Sequence, residues 1–370
     1  MSDAPRAFRA LAESRCETGA MEVSVRIRFP VNSRDVSKRV EPKHLVPWVP
    51  RASWDGWFGI GIFPPGAPLR WVKAHFFHRA CAPGKHPLAA VEGLDAESEL
   101  ALVWATPDEV VQLRGETGGQ QPVVSSSPLR VFLEDRFVLE GAAPRYSLAV
   151  RLAEHQAEAR FAFETGWPIW WSRWGRLLTY AGQHAALRLS LNHQGREQSL
   201  QGFGVLEHVC GISLPFDFTR RLPFHYHWDV LAFHTPGSPF DSAAGLSLGR
   251  QGQTLFPLRA AAHLPGRSAE AMQGLVVRYL EASRTEGPAG EARMLPLRWE
   301  GTLRSRAGTF RYRAAAATPV VGNIPGGGML GFDFEGEWSR PGSGTRRWQG
   351  TGFTEYGDFS GRLVNLAGAG

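Results

Sequence analysis

The hydrophobic pattern of this chain repeats every second residue, and that period leaves it few choices besides extended structure. Residues 21–29 (MEVSVRIRF) place Val23, Val25, Ile27 and Phe29 on one face. The same alternation returns at 146–152 (YSLAVRL), 187–191 (LRLSL), 225–234 (HYHWDVLAFH) and 309–312 (TFRY). Shorter or wholly apolar runs at 57–63, 71–77, 100–104 and 132–139 read as further strands. Gly, Pro, Asn and Asp clusters punctuate them, as turns require. Helical period is scarce, with 5–14 and 268–273 the two short candidates. Many short strands and few short helices predict an all-β chain of the barrel or sandwich class.

One pattern occurs twice. Residues 201–208 read QGFGVLEH and residues 349–356 read QGTGFTEY, both fitting Q-G-x-G-apolar-x-E-(H/Y). Each follows a probable-hairpin sequence, and the copies stand roughly 150 residues apart, a domain length rather than a solenoid period. The repeat predicts duplication of a whole domain: an N-terminal extension over 1–20, a first barrel over 21–211 and a second over 212–370. Glycine inside a strand often marks a bulge or a corner, so Gly202, Gly204, Gly350 and Gly352 are expected to serve curvature. Curvature leaves Glu207 and Glu355, present in both copies, unexplained.

Composition excludes several classes. Hydrophobic residues make up 43% and charged residues 21%, which is globular and not disordered. The net charge of +6 is spread without basic runs, so no nucleic-acid footprint is present. Cys16, Cys81 and Cys210 form no CxxC pair, and residues 1–20 lack the apolar core of a signal peptide, which points to reduced thiols in a cytoplasm. No apolar stretch reaches about 18 residues, so no integral membrane segment is expected.

The motifs GFGVLEHVCG (202–211) and GTGFTEYGDFSG (350–361), with HYHWDVLAF after the first, resemble the two-domain calycin proteins grouped with AttH and the hydroxyneurosporene synthases (carotenoid 1,2-hydratases). Some fungal Diels–Alderases and the tocopherol cyclases share that architecture. The resemblance implies two tandem lipocalin-like antiparallel β-barrels. Glu207 stands where Asp is commoner in that group and Cys210 where Trp is common, so the resemblance speaks for architecture more than for activity.

Several residues are candidates for chemistry. Glu207 and His208 are adjacent on a strand and so face opposite ways. A carboxyl buried in an apolar cavity can deliver a proton to an alkene or carbonyl; alternatively, Glu207 and Glu355 each pair with an Arg and clamp the barrel. His225, His227 and Asp229 share one strand face, which suits a polar pocket wall, a metal site or a solvated surface. Trp228 lies on the opposite face. His75 and His78 point apart, which argues against a shared metal there, and His75 is the one expected to face inward. Four tryptophans in 167–174 (WPIWWSRW), namely Trp167, Trp170, Trp171 and Trp174, suit a pocket mouth or a domain junction. Trp48, Trp54, Trp57 and Trp71 are expected to fill the first barrel. With Glu355 and Tyr356 of the second repeat, Trp57, His75, Trp228 and the Trp-rich segment form the expected ligand-binding set. Asp333, Glu335 and Glu337 are expected to face solvent, opposite Phe332 and Phe334. No G-x-S-x-G elbow or phosphate loop occurs.

The reading that follows is an enzyme on an apolar isoprenoid, lipid or polyketide-like molecule, of the hydratase, isomerase or cyclase kind, needing no cofactor and no metal. Its alternatives are a carrier of a hydrophobic metabolite, and an interaction protein that docks through the Trp-rich segment. Oligomeric state is not legible.

Overall fold

A computed structural model describes residues 42–46, 54–78 and 98–358, apart from 118–119, 121, 175–177, 212–224, 235–237, 239, 251–252, 264–268, 287–291, 325–326, 341 and 343. The expected strand at 21–29 and helix at 5–14 fall outside these residues.

The described chain is all-β and builds two curled antiparallel sheets. The first begins with β1 (Trp54–Ile62), β2 (Trp71–His78), β3 (Ser98–Ala105) and β4 (Val110–Glu116). Three short strands follow, β5 (Val123–Ser126), β6 (Leu129–Leu133) and β7 (Phe137–Ala142). It ends with β8 (Arg145–Leu152), β9 (Ala157–Trp174), β10 (Leu178–His193) and β11 (Arg196–Gly211). The last strand pairs with the first, in the order β4-β3-β2-β1-β11-β10-β9-β8-β7-β6-β5. Among the described residues the helical content is two single 3₁₀ turns, Pro42–His44 and Ala153–His155.

The second sheet starts with β12 (His225–Phe233), β13 (Ser242–Arg250), β14 (Gln253–His263) and β15 (Ala269–Met272). It continues through β16 (Leu275–Glu286), β17 (Ala292–Arg304), β18 (Thr309–Ala316), β19 (Val321–Ile324), β20 (Gly327–Ser339) and β21 (Arg346–Asp358). Again the last strand pairs with the first. Here β13 also pairs with β14, and β14 meets β16 at Gln253 and Arg278, so the ring β12-β13-β14-β16-β17-β18-β20-β21 closes. Closure removes the unpaired edges that an open sheet keeps.

Alternation decides which face each strand buries. Tyr146, Leu148, Val150 and Leu152 of β8 are buried while the residues between them are half-buried or exposed. The result is three apolar cores. One fills the concave side of the first sheet, around Trp57, Phe76, Phe137 and Phe163. A second fills the closed barrel, around Trp299, Phe310, Tyr312 and Phe332. The third joins the sheets: Ile60, Ile62, Trp71 and Val205 pack against Trp228, Val230, Met329 and Phe353. Direct bonds cross the same junction, from Trp71 Nε1 to Thr318 Oγ1 at 3.2 Å and from Thr351 Oγ1 to the Phe63 carbonyl at 3.2 Å.

Four expectations change. Residues 132–139 are not one strand: a turn at 134–136, with Glu134 at φ 46°, divides β6 from β7. Residues 269–272 form β15 instead of helix, because four residues are too few to repay helix nucleation and β14 offers a ready ladder. Trp71 belongs to the junction and not to the first core, whereas Trp57 does fill that core; the side chains of Trp48 and Trp54 lie outside the described residues. The repeat glycines mark no register shift in their ladders. Their space is taken instead. A Cβ on Gly352 would stand 2.1 Å from the Phe332 ring.

Candidate functional site

The repeat strands β11 and β21 bring their two glutamates to the junction. Glu207 and Glu355 hold the same place in each sheet: Glu207 stands opposite Phe58 of β1, and Glu355 opposite Trp228 of β12. Both turn away from their own sheet's core and towards the apolar surface shared by the sheets. Their surroundings then diverge. Glu355 forms an ion pair with Lys73, a buried residue of β2 whose ammonium lies 4.8 Å above the Phe58 ring and 3.5 Å from the Met329 sulfur. Glu207 has no ion pair among the described residues; it accepts a hydrogen bond from the Tyr180 hydroxyl. Burial pushes the Glu207 carboxyl up to about 8; the Glu355 charge adds to the rise, and Tyr180 and Lys73 oppose it. Burial, and then the charge of Glu207, push the Tyr180 hydroxyl well above its ordinary value. The site therefore combines a carboxyl whose burial favours its protonated form, a phenol bonded to it and a lysine–glutamate pair, set in an otherwise apolar wall. Such a carboxyl can give a proton, and the pair fixes its electrostatic surroundings.

A second polar cluster lies inside the closed barrel. His227 and Asp229 alternate on β12 and both point inward, with Nε2 to Oδ1 at 2.8 Å. The Trp299 indole and the Tyr312 hydroxyl donate to Asp229 Oδ2 at 2.9 and 2.5 Å, and the Tyr279 hydroxyl meets His227 Nδ1 at 2.9 Å. Burial alone would raise the Asp229 carboxyl. The His227 charge and these hydrogen bonds outweigh it and hold the carboxyl below its ordinary value. Every polar atom of the pair is occupied by a neighbour, and aromatic side chains fill the space around it. This is the chemistry of a satisfied core network.

The sequence candidates thus part company. His227 and Asp229 lie together, but on the far side of β12 from Glu207, and neither is a solvated face. Their strand neighbour Trp228 turns to the junction, as its alternation predicts. His208 turns into the first core, away from Glu207, and stacks on Trp57 at 5.0 Å. His75, expected to face inward, instead shares the junction face of β2 with Trp71 and Lys73, beside Phe58 and Phe77 and 3.5 Å from Glu99, and His78 takes the core face with Phe76. Tyr356 faces the barrel core near His227, at 6.4 Å between rings. The side chains of Trp167, Trp170, Trp171, Trp174 and His225 lie outside the described residues, although their backbones belong to β9 and β12. The clamp expected from Arg is instead made by Lys73, and for Glu355 alone. Asp333 and Glu335 are exposed as expected, and Asp333 also pairs with Arg70 across the junction. Sequence reasoning passed over Lys73 and Tyr180. A lone Lys inside the apolar run WVKAHFF was the available signal, since a lysine is rarely buried without a partner.

Fold and site define a class: a double lipocalin-like β protein of AttH-like fold, with polar groups gathered where its sheets meet. No protein-family model matches the sequence, and no curated relative matches it. Among solved structures, an AttH protein of Nitrosomonas europaea superposes with a TM-score of 0.52 at 13% identity, over 85% of this chain and 99% of that one. Kievitone hydratase of Nectria haematococca superposes with a TM-score of 0.50 at 11% identity, over 88% of this chain and 98% of that one. At such identities the likeness is one of fold. Among the described residues no helix is long and apolar enough to cross a membrane.

Proposed function

We propose that this protein binds an apolar small molecule where its two sheets meet, each sheet being one domain, and catalyses a hydratase-type or isomerase-type reaction with Glu207 as proton donor. The observation that carries the reading is the placement of Glu207: buried, bonded to Tyr180, beside the Lys73–Glu355 pair, in an apolar wall made by both sheets. The fold shared with a hydratase agrees with it. In the hydration direction, the Glu207 carboxyl gives its proton to one alkene carbon. Water oxygen bonds to the neighbouring carbon, and the proton this water releases returns to the Glu207 carboxylate, so the acid is regenerated. In an isomerase the returning proton comes from the substrate instead. Tyr180 orients the carboxyl, and the surrounding apolar surface orders a flexible substrate. The reaction as written needs no cofactor.

The test is incubation with isoprenoid, lipid and polyketide-like alkenes in D₂O, read by mass spectrometry. Solvent deuterium in the product of the wild-type protein, absent with Glu207→Gln of unchanged thermal transition, is the expected result. A substrate that binds stoichiometrically and leaves unlabelled makes the protein a carrier. Full labelling by Glu207→Gln removes Glu207 from the chemistry.

A further inference from the structure

Asp55, His208 and Cys210 stand together on the other face of the β1–β11 pair, and their ligand atoms lie within 4.8 Å of one another. All three are buried, at 3%, 0% and 0% exposure. The register explains why they meet. Asp55 and Cys210 are direct cross-strand partners, and His208 is two residues from Cys210 on the same face. None of the three takes part in the proton chemistry proposed for the junction.

The hydrogen bonds of His208 narrow what this cluster can be. Its Nδ1 lies 3.1 Å from the His44 carbonyl, which can only accept, so the ring proton sits on Nδ1. Nε2 then faces Asp55 Oδ1 at 3.2 Å. With the proton on Nδ1, Nε2 presents its lone pair towards that oxygen, and a cation held between the two satisfies both. Zinc bonds of about 2.0–2.1 Å to nitrogen and about 2.0–2.2 Å to oxygen give a tetrahedral edge of about 3.3 Å, which the observed separation matches. The surroundings are those of an oriented metal ligand. A backbone carbonyl fixes the tautomer, and the Trp57 ring stacked on the imidazole fixes its plane. The indole of Trp57 is in turn anchored to the Leu45 carbonyl at 2.9 Å.

From this geometry we infer that Asp55, His208 and Cys210 form a zinc site, with the imidazole Nε2, a carboxylate oxygen and the thiolate as its protein ligands. Thiolate with imidazole selects a borderline-soft cation over magnesium or calcium. Three protein ligands leave the fourth position of the tetrahedron to water or to a further side chain. His78, opposite Asp55 on β2 and on the same face, stands in the same row. The site ties one end of the β1–β11 pair, where β1 starts and β11 closes, to the 3₁₀ turn at Pro42–His44.

The experiment uses the full chain, stripped with a chelator and then titrated with zinc or cobalt. Expected are one bound ion per chain, a rise in the thermal transition with zinc, and a thiolate-to-cobalt charge-transfer band that Cys210→Ser abolishes. Asp55→Asn is expected to weaken zinc binding about tenfold or more. X-ray absorption of the zinc-loaded wild type needs no variant and is expected to show a sulfur scatterer at about 2.3 Å. Failure of the chain to take up either ion stoichiometrically overturns the site. A zinc shell of nitrogen and oxygen alone does so too, as does a cobalt band unchanged in Cys210→Ser. Since none of these readouts involves turnover, they stand or fall separately from the role of Glu207.

Discussion

Strands β11 and β21 are two copies of one sequence pattern, each the last strand of its sheet and each paired with the first. Their glutamates project from equivalent places into one shared junction, where the outcomes differ. Glu355 meets Lys73 from the other sheet and becomes half of an ion pair. Glu207 meets a tyrosine of its own sheet and stays without a cation among the described residues. The two copies of the pattern thus present equal carboxyls, and the packing of the sheets gives them unequal surroundings. Burial pushes the Glu207 carboxyl up, while Glu355 is tied to a buried ammonium, so one pattern yields two different electrostatic settings. On the proposed reading, the repeat serves structure in one copy and chemistry in the other.

Removing each carboxyl in turn is the most direct way to break this comparison. Glu207→Gln removes the proposed proton donor, and deuterium incorporation is expected to fall by about 10²–10⁴-fold. Its thermal transition should stay within a few degrees of wild type, since no cation loses its partner. Glu355→Gln strands Lys73, a buried ammonium, and is expected to cost about 3–5 kcal/mol of stability by denaturant titration. Equal loss of stability in the two variants would mean that both glutamates are structural. Equal loss of turnover with no loss of stability would mean that the carboxyls act as one unit.

The concave interiors sharpen the contrast further. In the closed barrel, Asp229 accepts from Trp299, Tyr312 and His227, so Asp229→Asn leaves donors facing an amide. A loss of about 2–4 kcal/mol is expected. Its pH dependence has a definite sign. The folded carboxyl titrates below its unfolded value of about 3.9, so its contribution is whole above that pH and is lost as pH falls through the folded value. Stability curves of wild type and Asp229→Asn should approach each other below about pH 4. A constant gap down to pH 2 would show that the network holds its shape without the charge.

Much of the fold was legible in the sequence because alternation is a local property. Each of YSLAVRL, HYHWDVLAFH and TFRY carries its own burial pattern, and the structure places a strand on each. The run at 132–139 misled because the polar triplet Glu134-Asp135-Arg136 turns the chain inside an apolar stretch. For the site, sequence reached Glu207 and Glu355 through the repeat, and His227 and Asp229 through their spacing. It did not reach Lys73, whose partner lies 282 residues away, or the meeting of Asp55 with His208 and Cys210. Those pairings depend on how strands are ordered and how sheets are packed, which no local period records. Nor does any local period record that Tyr279, Trp299 and Tyr312 reach His227 and Asp229 from β16, β17 and β18.

The smallest expected effect tests whether the two repeat strands are packed alike where they bear no charge. The first glycine of each copy has one job in both sheets. A Cβ on Gly202 would stand 2.5 Å from the Ile62 carbonyl, and one on Gly350 2.2 Å from that of Ala232, the equivalent residue of the partner strand. The second glycine differs. At Gly352 the Phe332 ring, fully buried in the barrel core, covers the position at 2.1 Å, whereas at Gly204 the nearest atoms, of Leu187 and Phe163, stand off at 3.0 Å. A closed ring of strands confines Phe332, while the first sheet ends, among the described residues, in the edges β4 and β5 and can relax. Gly352→Ala is therefore expected to cost about 1–3 kcal/mol and Gly204→Ala less than about 1 kcal/mol, both read from the denaturant midpoint. If the two substitutions cost the same, the first core is as confined as the closed barrel, and the inequality between the copies is confined to their glutamates.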